Sequence, residues 1–194
     1  EIIPKLRETP PTPSVRKNLF IKYAKDARAV IRPELGGVFP GGGEYDFAQL
    51  QKLYNSTPNQ VIEPYELERN LNDEIIGYSM EKVELSKDPL FNKKLFETLN
   101  ETQKQKIIQQ IISTVKKWQQ DNIYHGDIKS PNLYIDQDQN IKFFDPAGFH
   151  DLTPKQQQIA LKQDRETTEN LIKIIDPNYI INWTDNLSNS TPTS

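Results

Sequence analysis

Between residues 124 and 146 the chain carries side chains suited to moving a phosphoryl group. Tyr124-His125-Gly126-Asp127-Ile128-Lys129-Ser130-Pro131-Asn132 sets out an acid, a lysine two residues on and an amide three further, and Phe143-Phe144-Asp145-Pro146 adds a second acid. Phosphoryl transfer asks little covalent work of a protein: it must position the nucleophile, hold divalent metal on the phosphates and neutralise developing charge. Carboxylate and amide oxygens suit magnesium, which takes a few oxygen ligands and keeps several waters. Asn132 and Asp145 can supply those ligands from the two ends of a short strand, turn and strand. Asp127 can then accept the proton of an incoming hydroxyl, and Lys129 can reach the transferred phosphate. His125 reads as a packing residue behind the loop rather than a proton carrier, and Asp136 and Asp138 read as solvated turn residues.

These residues need a frame. Residues 1 to 14 contain Thr9-Pro10-Pro11-Thr12-Pro13-Ser14, which cannot form helix and reads as extended chain. Leu19-Phe20-Ile21-Lys22-Tyr23 and 27 to 32 are short β-branched and aromatic runs around Lys25-Asp26, which predicts a hairpin between them. Glycines at 36 to 43 read as a connector, and Phe47, Leu50, Leu53 and Tyr54 then recur at helical spacing from about Glu44. Strands are expected over 61 to 67 and 75 to 80. After residue 87 the pattern turns helical, most clearly over 101 to 120, where Ile107, Ile108, Ile111, Ile112, Val115 and Trp118 form one apolar stripe. A strand, turn and strand follow at 132 to 144, a last helix at 155 to 175 and a polar tail at 182 to 194. Strands first and helices second predict an α+β chain in two lobes, with the chemical motif in the helical one.

Composition narrows the partners. The 194 residues suffice for one well-buried domain or two small lobes around a cleft. The 35% apolar fraction supports a folded core, while the 26% charged fraction is of mixed sign with a net charge of only −3, so no nucleic-acid footprint or polybasic membrane anchor stands out. Cysteine is absent, which excludes disulfides, thiol nucleophiles and thiolate metal sites. No apolar run approaches the ~18 to 20 residues needed to span a bilayer, and the first residues lack a signal-peptide pattern.

The motif resembles the catalytic core of the protein-kinase-like superfamily. The family's catalytic loop, His-Arg-Asp-Leu-Lys, two variable residues and Asn, stands here as His125 to Asn132, and its metal-binding Asp-Phe-Gly as Asp145-Pro146-Ala147. Met80-Glu81-Lys82-Val83 resembles the hinge where backbone groups meet adenine, and the 101 to 120 helix lies where the family places the helix leading into its catalytic loop. The likeness covers roughly residues 15 to 175. It implies an N-lobe with hinge at 15 to 83, a C-lobe at 84 to 181, and nucleotide contacts from Met80, Glu81 and Val83. Ile21-Lys22 and Ala29-Val30-Ile31-Arg32 both resemble the family's Val-Ala-Ile-Lys; distance to the hinge favours Arg32 and chemistry favours Lys22 as the cation on the nucleotide phosphates. Glu44 is the expected helix partner of that cation, and Asp164 the expected brace of the catalytic loop.

The departures are informative. Gly126 replaces the arginine that in many kinases binds a phosphorylated activation loop, and His-Gly-Asp is the spelling common in small-molecule kinases. Lys129 is the protein-kinase choice at its position. No Gly-x-Gly-x-x-Gly precedes the first strand run, the segment after Asp145 is short and lacks Ala-Pro-Glu, and the later C-lobe helices of the family are missing. The resemblance therefore implies a minimal kinase with a small β-rich N-lobe and a truncated helical C-lobe. It would use ATP and Mg2+ or Mn2+ on a hydroxyl, first of all Ser or Thr of a protein, with Asp127 and Lys129 catalytic and Asn132 and Asp145 on metal. A small-molecule kinase and a pseudokinase that serves as a partner-binding module are the alternatives. The expected partners are a protein substrate and an activating protein, with neither nucleic acid nor membrane. The expected location is the cytoplasm, or a host cytosol if the small size reflects a bacterial or viral effector kinase.

Overall fold

The computed structural model describes residues 19–23, 30–32, 35, 37–39, 43–88, 90–149 and 152–184. The chain runs β1 (Leu19–Tyr23), β2 (Val30–Arg32), β3 (Gly37–Phe39), α1 (Gly43–Ser56), β4 (Pro64–Arg69) and β5 (Ile75–Glu81), then α2 (Phe91–Thr98) and α3 (Glu101–Gln120). A 3-10 turn (Ser130–Asn132), β6 (Leu133–Ile135), β7 (Ile141–Phe143) and α4 (Pro154–Ile175) complete it. The class is α+β. The Pro-rich start at 1 to 14 and the last ten positions of the expected tail lie outside the described residues. Among the described residues, no helix is long and apolar enough to cross a membrane.

Strand pairing departs from the expected hairpin. β1 does not pair with β2; it lies antiparallel along β5, with Lys22 opposite Tyr78, and β4 takes the other edge of β5. β5 is buried along its middle, from Gly77 to Met80, so both of its edges need a partner. β2 instead pairs antiparallel with β3, with Arg32 opposite Gly37. The loop joining β4 to β5 is held by Asn70, whose Oδ1 accepts the N–H groups of Asn72 and Glu74, while Asp73 takes a φ of 65°.

The apolar stripe of α3 is covered as its period requires: Ile107, Ile108, Ile111, Val115 and Trp118 are all fully buried. An Asn100–Gln103 capping box opens the helix, and a Thr153–Gln156 box with Pro154 in the first turn opens α4. One core runs from Phe47, Leu50 and Leu53 of α1 and Tyr78 and Met80 of β5, through α3, to Phe143 and to Leu171 and Ile172 of α4. A smaller cluster joins Leu35, between β2 and β3, to Tyr124 and to Ala160 and Leu161 of α4, and Gln156 Nε2 donates to Leu35 O at 2.8 Å. The turn between β6 and β7 is closed by Asp136, whose Oδ1 accepts from the N–H groups of Asp138 and Asn140, with Gln139 at a φ of 58°.

Trp118 is the core side chain with the most to join. Its indole N–H donates to Thr57 Oγ1 at 2.8 Å, its ring meets Phe143 edge-on at 5.0 Å and it stacks on His125 at 5.8 Å. It thereby ties the end of α1 to β7 and to the loop that holds Asp127. Trp118→Phe removes a buried donor and leaves a void, and the expected loss of about 2–3 kcal/mol is measured by urea unfolding.

Candidate functional site

The loop from Tyr124 to Asn132 is positioned from behind by its own histidine. His125 is fully buried. Its Nδ1 accepts the N–H of Asp127 at 3.2 Å, which fixes the tautomer with the proton on Nε2, and Nε2–H then donates to Phe144 O at 3.0 Å. The His125 carbonyl accepts the N–H of Ala147 at 2.9 Å. One residue therefore fastens the strand ahead of Asp145 and the segment after it to the loop carrying Asp127. Burial pushes the imidazole down to about 4, so it is neutral at pH 7 and can keep accepting from Asp127.

Asp164 of α4 grips the same loop by its backbone. Its two carboxylate oxygens accept from His125 N–H at 2.5 Å and Gly126 N–H at 2.9 Å, which is the bracing expected of it. Burial raises this carboxyl to about 7, and the two N–H donors pull it back. Gly126 has a φ of +83°, and a Cβ there would lie 3.1 Å from both the Cβ and the carbonyl oxygen of Ala147. The loop thus turns where an L side chain would be both strained and crowded.

The reactive groups converge in front of this framework. Asn132 Nδ2 donates to Asp127 Oδ2 at 2.8 Å and to the Asp127 carbonyl at 2.9 Å. Lys129 Nζ lies 3.0 Å from Asp127 Oδ2. The turn holding Asn132 is closed by Asn132 N–H to Lys129 O at 3.0 Å, and the Asn132 carbonyl accepts Phe144 N–H at 3.1 Å. Asp145 follows with a φ of +54°, a left-handed backbone immediately before Pro146, where a following proline disfavours helical conformations. Its Oδ1 is 2.6 Å from Lys22 Nζ, a contact between residues 123 apart in sequence. Lys22 also sits 5.9 Å from the centre of the Tyr78 ring. The Tyr78 hydroxyl is buried without a hydrogen-bond partner among the described residues, and burial with the charges of Asp145 and Asp46 pushes its pKa up, which suppresses ionisation.

The nucleotide-side candidates separate. Lys22 joins the site through Asp145. Arg32 belongs to the β2–β3 ladder, and its side chain lies outside the described residues. Glu44 is exposed in the first turn of α1. Asp46, two residues on, is the acid of that helix that feels Lys22, Asp145 and Asp127; it accepts Gly148 N–H at 2.9 Å, and burial raises its carboxyl. Helical phase is the signal that distinguishes the two, because Asp46, Leu50 and Leu53 fall at i, i+4 and i+7 on the buried face. Met80 is buried in β5 and Val83 packs half-buried against the core. The Glu81 side chain pairs with Lys142 of β7 at 2.6 Å, while its N–H donates to the carbonyl of Glu63, just ahead of β4. The cavity in this region lies further along: it holds about 140 Å³ and is lined by residues 84–88, Phe91, Asn92, Leu133, Tyr134 and Phe144.

Two positioning side chains carry no signal in the sequence. Gln49 of α1 is buried and donates Nε2–H to Tyr124 O at 2.5 Å. Asn92 of α2 donates to the carbonyls of Ser130 and Leu133. Nothing local marks either residue, since both bond across the fold rather than along it. Among the described residues, no three His, Asp or Glu side chains gather to hold a metal ion. The sequence matches no protein-family model and no curated protein.

His125 and Asp164 make opposite contributions to stability with pH. The imidazole's folded value lies below its ordinary 6.5, so its contribution is full above pH 6.5 and is lost as pH falls toward 4. The Asp164 carboxyl's folded value lies above its ordinary 3.8, so its contribution is full below that and is lost as pH rises toward 7. The two offset in the native chain between pH 4 and 6.5. His125→Gln should become less stable as pH rises through this window, and Asp164→Asn more stable, each by up to roughly 3 kcal/mol. Urea midpoints at several pH values measure both slopes.

Proposed function

We propose that this chain is a kinase: an ATP- and divalent-metal-dependent phosphotransferase with a hydroxyl acceptor, built as a minimal protein-kinase-like fold. The observation that carries the reading is the junction of Lys22 with Asp145. Here a strand lysine from the sheet-rich half meets the acid of the strand-turn-strand, beside an Asp127–Asn132–Lys129 cluster from the intervening loop. Supporting the two-lobed arrangement are a three-stranded sheet backed by α1, a connection without regular structure over 82–88, and a helical remainder that shares the cavity with that connection.

The residues fit a nucleotide with magnesium or manganese. Magnesium is bound through one or two protein oxygens plus phosphates and waters, so a cluster of three acids is not required. Asn132 uses its Nδ2 on Asp127, leaving Oδ1 as the amide's ligand atom, and Asp145 supplies a carboxylate. The metal would neutralise charge on the phosphates. In the free chain Lys22 neutralises Asp145; on nucleotide binding Lys22 turns to the phosphates. Because the Glu81 N–H is committed to Glu63, the groups lining the cavity at 84–88 are the candidates for holding the base.

Asp127 is held for proton acceptance. Donors from Asn132 and Lys129 orient its carboxylate. As the acceptor oxygen bonds to the γ-phosphorus and the bond to the ADP oxygen breaks, Asp127 takes the hydroxyl proton and Lys129 offsets charge on the transferred group. Lys129 supports a Ser or Thr hydroxyl of a protein as acceptor. The short connection from Asp145 to Pro154 supports a small-molecule hydroxyl as the second reading, since it offers little surface for a peptide.

Asp127→Ala should lower transfer by about 10²- to 10⁴-fold with the melting temperature little changed, read with labelled ATP over a lysate and a metabolite panel. Unaltered turnover in that variant sinks the assignment. Lys22→Ala and Asp145→Ala should each lose the thermal stabilisation that ATP with magnesium gives the parent chain. No such stabilisation in the parent would count against a nucleotide site altogether.

A further inference from the structure

Asn92 is buried on the second residue of α2, and its side chain has a demanding geometry. A single Nδ2 amino group donates one proton to Ser130 O at 2.5 Å and the other to Leu133 O at 2.6 Å. Those two carbonyls bracket Asn132. A hydroxyl has only one proton to give, and a carboxylate has none, so an amide is the side chain of this size that satisfies both. The turn so held has three further attachments: Asn132 N–H to Lys129 O, Phe144 N–H to Asn132 O, and Asn132 Nδ2 to Asp127. A shift of the turn would therefore move Asn132 and disturb the backbone directly ahead of Asp145.

Asn92 also lines the cavity below residues 84–88, together with Phe91, Leu133 and Phe144. Pro131 of the turn lines that cavity as well, so an occupant would rest against the turn itself. We infer that Asn92 is a positioning residue that links the cavity to the divalent-metal site at Asn132 and Asp145, so that a nucleotide base in one tightens metal binding at the other. The inference rests on the phosphotransferase reading for the identity of the ligands, but its structural half stands on the turn alone. Coupling of this kind is reciprocal: ADP raises the affinity for Mn2+ by the same factor as Mn2+ raises that for ADP.

The test uses the full chain with Asn92→Leu, which keeps the volume and removes both donors, and Asn92→Asp as a second variant should Leu prevent folding. Mn2+ is titrated by electron paramagnetic resonance with and without ADP, and ADP is titrated calorimetrically without metal. The expected result is a loss of about 10- to 100-fold in Mn2+ affinity in the presence of ADP, the usual range for an outer partner of a metal ligand, with metal-free ADP affinity changed less than about 2-fold. Hydrogen exchange is measured at the same time at the amides of Asn132 and Phe144, which should lose protection while those of α3 keep theirs. Equal Mn2+ affinity and equal protection in variant and parent overturn the role of Asn92. If the parent binds Mn2+ and ADP no better than Asp145→Ala does, the phosphotransferase reading and the coupling both fall, and the exchange data alone decide whether Asn92 holds the turn.

Discussion

A loop that brings an acid, a lysine and a buried amide together must be gripped from behind. Here the grip is a buried carboxylate and a buried imidazole acting on backbone rather than on side chains. Asp164 accepts the N–H groups of His125 and Gly126, and the His125 ring joins Asp127 N–H to Phe144 O. Both groups pay in ionisation for being buried, since one is pushed toward its neutral form from the acid side and the other from the base side. Every later contact, from Asn132 to the left-handed Asp145, presumes that this loop and the β7 end keep their mutual register.

α1 acts as a strut across the same assembly. Along its length it sends Asp46 to Gly148 N–H, Gln49 to Tyr124 O and Ser56 to Asp121, and Thr57 just beyond it receives the Trp118 indole. At Gly148 the approach is so close that an added Cβ would lie 2.0 Å from the Tyr45 carbonyl oxygen. The helix that contributes Asp46 is thus bonded to the segments on both sides of the reactive cluster, and its position follows theirs.

The loop from His125 to Asn132, the β6–β7 pair and the α3 stripe were legible because their determinants are local: spacing, periodicity and turn chemistry within a few residues. The hairpin expected between 19–23 and 27–32 was wrong for the complementary reason. Two adjacent β-branched runs are good partners locally, but β5, some fifty residues away, is buried through its middle and takes β1 for one edge. The meeting of Lys22 with Asp145 depends on the same non-local pairing. Glu44 and Asp46 differ by helical phase, which the sequence does contain. Asn92 and Gln49 were invisible, because a side chain that donates to a distant carbonyl leaves no periodic trace.

Leu35 adds a constraint of a different kind. It belongs to the excursion between β1 and α1, yet it is buried against Tyr124 and α4, with its carbonyl bonded to Gln156. The sheet-bearing part of the chain is therefore fastened to the helical part at many separated places, through Asp46, Gln49 and Thr57, through Glu81 to Lys142, and through this side anchor. A body held at many separated points has no free axis of rotation, so relative motion of the two parts requires some of these bonds to break.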